Sequence, residues 1–100
     1  MSVDEFVNKH NPFNIYIEFN EYKINYKNIE DFFEYDLGID NEYIIDKSEC
    51  IKNNSIYRFQ VYPDNSIGFY VVFASTLEKA IKEMDIFLSK KQKRKVVSNE

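Results

Sequence analysis

The chain holds one histidine, His10, and one cysteine, Cys50. Nucleophilic catalysis needs a thiol or hydroxyl with a base beside it, and no sequence signature connects these two residues. His10 stands just before the Asn11-Pro12 linker, and a lone Cys in a chain of 100 residues serves packing more often than attack. One Cys and one His are also too few ligands for a zinc site. Asp36, Asp40 and Glu42 lie close in sequence, but their spacing departs from the calcium-binding loop. With two glycines in all, Gly38 and Gly68, neither a P-loop nor a dinucleotide fingerprint can be built. The expectation is a protein that is not an enzyme, with no catalytic residues, metal or cofactor.

Binding is better supported. Between Glu30 and Glu49 the carboxylates Glu30, Asp31, Glu34, Asp36, Asp40, Glu42, Asp46 and Glu49 are accompanied by one cation, Lys47. On a folded surface such a set makes a negative field that steers and grips a basic partner, or imitates the phosphates of a nucleic acid. A solvated helix rim would read the same way. Tyr16, Tyr35, Tyr43, Tyr57 and Tyr62 are interspersed through the chain, and Tyr offers a large contact area at small entropic cost. The expected partner-binding residues are Glu30, Asp31, Glu34, Tyr35, Asp36, Asp40, Glu42, Tyr43 and Asp46. The expected function is that of an inhibitor, or of an immunity or anti-defence protein. Its target would be a protein with a basic surface, for which the nucleic-acid groove of a nuclease is a natural candidate.

The charge is unevenly spread. Residues 1–89 carry 16 acidic against 8 basic side chains, whereas residues 90–100 carry 5 basic against one acidic, within a net charge of −4. Body and tail have opposite signs, which suggests 1–89 as a single domain and 90–100 as a mobile basic tail. Cations at a helix C-terminus complement its dipole, but only within the last turn. That leaves some of Lys90, Lys91, Lys93, Arg94 and Lys95 for another role. The alternative function is therefore a nucleic-acid-associated or regulatory, antitoxin-like protein using these five residues. Without a basic domain surface behind them, direct nucleic-acid binding would be weak and salt-sensitive.

The apolar run that ends at Ala74 is far short of the roughly 20 residues a bilayer span requires, so no membrane association is expected. No N-terminal stretch combines a charged region with an apolar run, so the expected compartment is the cytoplasm, or the nucleus in a eukaryotic host. The composition, 44% hydrophobic with 17% aromatic residues, is that of a chain with a real core.

The elements that must position these residues follow from capping and periodicity. Ser2-Val3-Asp4-Glu5 is a capping box that predicts a short helix with Val3, Phe6 and Val7 on one side, ending before Pro12. Phe13, Ile15, Ile17 and Phe19 alternate as in a half-buried strand, and an Asn20-Glu21 turn would bring Tyr22, Ile24 and Tyr26 back opposite Phe19, Ile17 and Ile15. Asn28 is placed to cap a helix with a stripe of Ile29, Phe32 and Phe33, for which Gly38 would be the terminator. Tyr43–Asp46 reads as a short strand. Ile56–Tyr62 and Ile67–Phe73 flank Pro63-Asp64-Asn65-Ser66, and a three-residue loop sets Tyr57, Phe59 and Val61 against Val71, Phe69 and Ile67. Apolar residues on both faces predict that this last strand is central. Ser75-Thr76-Leu77-Glu78 is a second capping box, followed by the stripe Leu77, Ala80, Ile81, Met84, Phe87 and Leu88.

The stretch YRFQVYPDNSIGFYVVFASTLEKAIKEMDIFLSKK, residues 57–91, resembles the hairpin-then-helix core of HicB-type antitoxins over about a third of the chain. That family's loop between the second strand and the helix, with its Pro-Asp and Gly positions, has no counterpart here, where Phe73-Ala74-Ser75 runs straight into the cap. The resemblance implies a small partner-binding protein, and the family is not assigned on it. The expected fold is α+β, a mostly antiparallel sheet of four to five strands in the order (α)ββαβββα, with the last helix across one face.

Overall fold

The computed structural model describes residues 1–36 and 44–98, with the side chains of the last helix described as far as Lys91. The chain forms α1 (Val3–His10), β1 (Asn14–Phe19), a 3-10 turn (Glu21–Ile24), α2 (Ile29–Tyr35), α3 (Lys47–Asn53), β2 (Tyr57–Tyr62), β3 (Tyr70–Ala74) and α4 (Leu77–Ser98). The fold is α+β, an antiparallel sheet in the order β1-β2-β3 with helices on both faces.

α1 starts as its capping box requires: Ser2 Oγ accepts the Glu5 N–H and the Glu5 carboxylate accepts the Ser2 N–H. It ends at Asn11, and α3 ends at Asn54, both in the left-handed region with φ of 45° and 49°. Asn tolerates that conformation because its short amide bonds locally, so Asn does here what Gly does elsewhere.

The sheet divides the core in two. In register, Ile15 faces Val61 and Ile17 faces Phe59, while Phe59 and Val61 face Val72 and Tyr70 of β3. On that face Phe59, Val61 and Ala74 are buried against Phe6 of α1 and Ala80, Ile81, Met84 and Leu88 of α4. Phe73 and Val71 point the other way, into a cluster of Tyr22, Ile29, Phe32, Phe33, Cys50 and Ile56. Full burial of each large side chain in these clusters is worth about 1.5–3 kcal/mol by transfer.

Several expectations are corrected. Among the described residues the sheet has three strands, and the expected four or five are not confirmed. Tyr22–Tyr26 is no hairpin partner for β1, because β2 takes that place: Asn20 donates its N–H to the Ile56 carbonyl (2.7 Å) and accepts the Ile56 N–H on its side chain (3.1 Å). The chain turns into a 3-10 coil instead, with Tyr22 buried and Ile24 70% exposed. Tyr22 and Tyr26, four residues apart, share a side in a strand and in a helical turn alike; only Ile24 distinguishes the two. The Tyr22 hydroxyl bonds the Asn54 carbonyl and amide oxygens at 3.0 and 2.8 Å. Tyr22→Phe is expected to cost about 1 kcal/mol, read as a lower urea midpoint at unchanged slope.

The β2–β3 hairpin exists, but Tyr57 faces Ala74 rather than Val71. In the loop, the Asp64 carboxylate accepts the Ser66 N–H (2.9 Å) and Ser66 Oγ the Gly68 N–H (3.4 Å), so these residues turn instead of pairing. β3 starts at Tyr70, and Ile67 is left 97% exposed. The shift is odd, so every β3 side chain changes face. Among the described strands the central one is β2, not β3. Of the expected strand Tyr43–Asp46, Ile44 makes a single parallel bridge to Phe73, while Tyr43, like Gly38, lies outside the described residues. The chain then enters α3, which periodicity did not announce. The second capping box is also out of place. Thr76 Oγ1 caps α4 through the Lys79 N–H (3.2 Å), leaving the Ser75 hydroxyl for Asp46.

Candidate functional site

α2 is seven residues long with a split character. Asn28 Oδ1 accepts the Asp31 N–H (2.9 Å), and Ile29, Phe32 and Phe33 enter the core. The turn this imposes puts Glu30, Glu34, Tyr35 and Asp36 at the surface, with Asp31 half-buried. Tyr35 is 69% exposed beside Glu34 and Asp36. None of Glu30, Asp31, Glu34 or Asp36 makes an ion pair among the described residues. Glu34 lies in the last turn of α2 and Asp36 is its C-cap, where no basic residue is found. At that end the helix dipole is negative, so each carboxylate there is unfavourable by about 0.3–1 kcal/mol.

The remaining expected residues are placed differently. Asp40, Glu42 and Tyr43 lie outside the described residues. Asp46 is turned inward: Oδ1 accepts the Ser75 N–H (2.8 Å) and the Cys50 thiol (3.5 Å), while Oδ2 takes the Ser75 hydroxyl and Lys79 Nζ (3.2 Å). Burial pushes its carboxyl up, but these hydrogen bonds outweigh that and hold it below the usual carboxylate range. Asp46 therefore ties the entry of α3 to the start of α4.

The tyrosines do not converge on α2. Tyr16 is exposed and donates to Glu18 (2.9 Å), and Tyr57 stacks on Phe19 with ring centroids 4.5 Å apart. Tyr62 accepts from Gln60 Nε2 at 2.6 Å, closing a row that sequence reasoning passed over. In that row Arg58 reaches Glu21 (2.6 Å) with Nη1 and Gln60 Oε1 with Nε and Nη2. The alternation Arg58, Gln60, Tyr62 was its only sequence signal.

The expected basic residues begin within α4. Lys90 is exposed, and Lys91 Nζ sits 4.3 Å from the Tyr70 ring centroid, a cation–π contact. Lys93, Arg94 and Lys95 fall on the backbone of α4, which continues to Ser98, and their side chains lie outside the described residues.

The two residues with nucleophile or base chemistry are separated by the sheet. Cys50 is fully buried in the α2–α3 cluster, its thiol pushed up to about 12 by burial and then by the Asp46 carboxylate. Such a thiol stays protonated and unreactive at neutral pH. His10 packs on Phe6 on the other side of the sheet and bonds Asp85 Oδ1 at 2.7 Å, clamping α1 to α4 with Lys9 (2.9 Å). Among the described residues, no group of three or more His, Cys, Asp or Glu is gathered to hold a metal ion, and no helix is long and apolar enough to cross a membrane.

No family model matches the chain, and neither a curated protein nor a solved structure is detectably similar to it.

Proposed function

We propose that this is a non-enzymatic binding protein, an inhibitor or immunity-type protein that captures a basic protein surface through α2 and the acidic segment after it. The observation that carries this reading is the C-terminal end of α2. There Glu34 and Asp36 oppose the helix dipole with no basic residue in the last turn of α2, and among the described residues neither is ion-paired, beside a tyrosine that is 69% exposed. Folding alone disfavours that arrangement, whereas a basic partner reverses its sign. Tyr35 supplies the apolar contact area such an interface needs near its charges. The groove of a nuclease, lined with Lys and Arg for phosphate, is the class of target that fits.

The test is inhibition of a panel of purified nucleases by the full chain, compared with Glu30→Lys, Glu34→Lys and Asp36→Lys combined. Inhibition that survives the reversal sinks the proposal.

A second reading rests on α4. Its backbone runs ten residues past Leu88, roughly 15 Å of helix carrying Lys90, Lys91, Lys93, Arg94 and Lys95. On this reading the protein is nucleic-acid-associated through that helical end. Truncation after Ser89 is expected to abolish retention on a nucleic-acid column at low salt; retention unchanged by truncation eliminates it.

A further inference from the structure

β1 forms an edge of the sheet, and its hydrogen-bond parity shows what that edge presents. Asn20 donates its N–H to the Ile56 carbonyl in the register of the β1–β2 pair, so Glu18 and Tyr16, two and four residues earlier, are the residues that bond β2. The main-chain groups of Ile15, Ile17 and Phe19 therefore point outward. Ile15 agrees with this parity, because its N–H is met by the side chain of its neighbour, Asn14 Oδ1, at 2.9 Å instead of by a strand. Among the described residues nothing pairs with the outward groups of Ile17 and Phe19. Ile44, where the described chain resumes after α2, bridges Phe73 on the opposite edge.

The side chains along this edge are apolar. Ile17 and Phe19 are 36% and 52% exposed on the face where Ile15 meets the core, and Phe13 just before the strand is 61% exposed. A six-residue edge strand with a single charge, Glu18, and no proline lacks the usual devices against strand addition. Such an edge is a template for another strand. α1 leaves room for one, since it rests over β2 with the Phe6 ring 5.1 Å from that of Phe59.

The order of the side chains selects the occupant. A two-fold axis at Ile17 lays β1 antiparallel on its own image, with Ile17 opposite Ile17, Ile15 opposite Phe19 and Tyr16 opposite Glu18. The outward groups of these odd-numbered residues then exchange main-chain bonds in both directions, Asn14 releasing the Ile15 N–H to its new partner. Apolar pairs meet on one face and Tyr–Glu pairs on the other, the same donor and acceptor that already bond within each strand at 2.9 Å. An axis at Tyr16 would need Phe13 to pair with Phe19, but the Phe13 N–H is turned inward to the Tyr62 carbonyl (2.9 Å). The like charges nearest the Ile17 axis, Glu18 and its image, are diagonal neighbours about 8 Å apart at the backbone. Each stands opposite Arg58 of its own β2, and Glu21 is held by that Arg58 at 2.6 Å. The edge is thus complementary to itself, which an isologous interface requires.

We propose that the protein forms a symmetric dimer in which two β1 edges pair antiparallel about Ile17 and join two three-stranded sheets into one. The acidic end of α2 takes no part in this pairing.

The test combines sedimentation velocity of the full chain, in a concentration series into the hundreds of micromolar, with cysteine cross-linking. The expected species has twice the 12.0 kDa chain mass. Ile17→Lys sets two ammonium groups face to face at the axis and is expected to weaken association about tenfold or more, with the circular dichroism of the parent. Ile17→Cys brings two thiols together across a backbone separation of about 5.5 Å, within disulfide reach, whereas Tyr16→Cys leaves its pair about 8 Å apart and beyond it. Cys50 is fully buried and does not compete. Oxidation with copper phenanthroline is therefore expected to yield far more covalent dimer from Ile17→Cys than from Tyr16→Cys or from Lys52→Cys, an exposed position on α3. A monomer at every concentration overturns the proposal and leaves the β1 edge to a strand of a different protein. So does a dimer that Ile17→Lys leaves intact, or cross-linking as efficient at Tyr16 or Lys52 as at Ile17.

Discussion

Replacing Asp46 with Ala is expected to lower the unfolding free energy by about 2–4 kcal/mol. The carboxylate accepts the N–H and hydroxyl of Ser75, a residue only 4% exposed, and nothing else among the described residues accepts from either. Truncation strands both donors, whereas the half-exposed Lys79 ammonium, 3.2 Å from Oδ2, loses a partner but keeps water. A buried donor left without an acceptor costs its full desolvation penalty, so the loss exceeds the ordinary worth of one hydrogen bond. Asp46→Asn keeps the shape and one acceptor oxygen, and is expected to cost about half as much. Chemical denaturation checks both, as a midpoint shift at constant slope; a loss under about 0.5 kcal/mol for Ala would show the tie to be unimportant.

The same carboxylate carries a pH signature. Its folded pKa lies below its ordinary value because the Ser75 and Lys79 bonds outweigh burial. The Asp85 carboxyl is also lowered, chiefly by the hydrogen bond from Lys9, against the opposing effect of burial and with a smaller contribution from His10. A carboxylate with a depressed folded pKa stabilises the fold above its unfolded value near about 4, and that contribution is lost as pH falls through the folded pKa. Stability of the parent should therefore decline from about pH 4 downward. In Asp46→Asn the decline should be shallower. An equally steep decline would place the acid sensitivity elsewhere.

Reversing Glu34 and Asp36 to Lys is expected to move stability and binding in opposite directions. Cations at the end of α2 complement its dipole where carboxylates oppose it, so the double variant should be more stable by about 0.5–2 kcal/mol. The same change should lower the on-rate for a basic target by an order of magnitude or more at low salt and flatten its salt dependence. A thermal melt and a stopped-flow titration at two ionic strengths distinguish the outcomes. A gain in stability with unchanged association would make these carboxylates a solvated rim, as the sequence also allowed. A loss of both would mean that the variant has disturbed the fold, which exposed side chains at a helix end should not do.

How much was legible beforehand varies with the length of chain each feature depends on. The Ser2 and Asn28 caps, the buried stripe Ile29, Phe32 and Phe33, and most of the stripe along α4 are as the sequence indicates. The exposed carboxylates of α2 follow from that stripe, because fixing one side of a helix fixes the other. Asp46 was misread as surface because its neighbours in sequence are acidic; its partners in space are 29 and 33 residues away. The exposure of Phe87, 45%, was invisible because it fits the apolar period of α4 equally well whether it meets core or solvent.

What the sequence determined by itself is therefore local: where helices start, which side of each is apolar, and that β2 and β3 form a hairpin. Those preferences rest on bonds spanning three or four residues, which a short stretch can satisfy alone. The tertiary structure decided which strand β1 joins, the register of β3 and the inward turn of Asp46. An Asn20-Glu21 hairpin and the observed pairing of β1 with β2 both match the alternation of β1. The choice falls to β2 because Asn20 can satisfy both main-chain groups of Ile56 at once, and only the assembled fold brings those residues together.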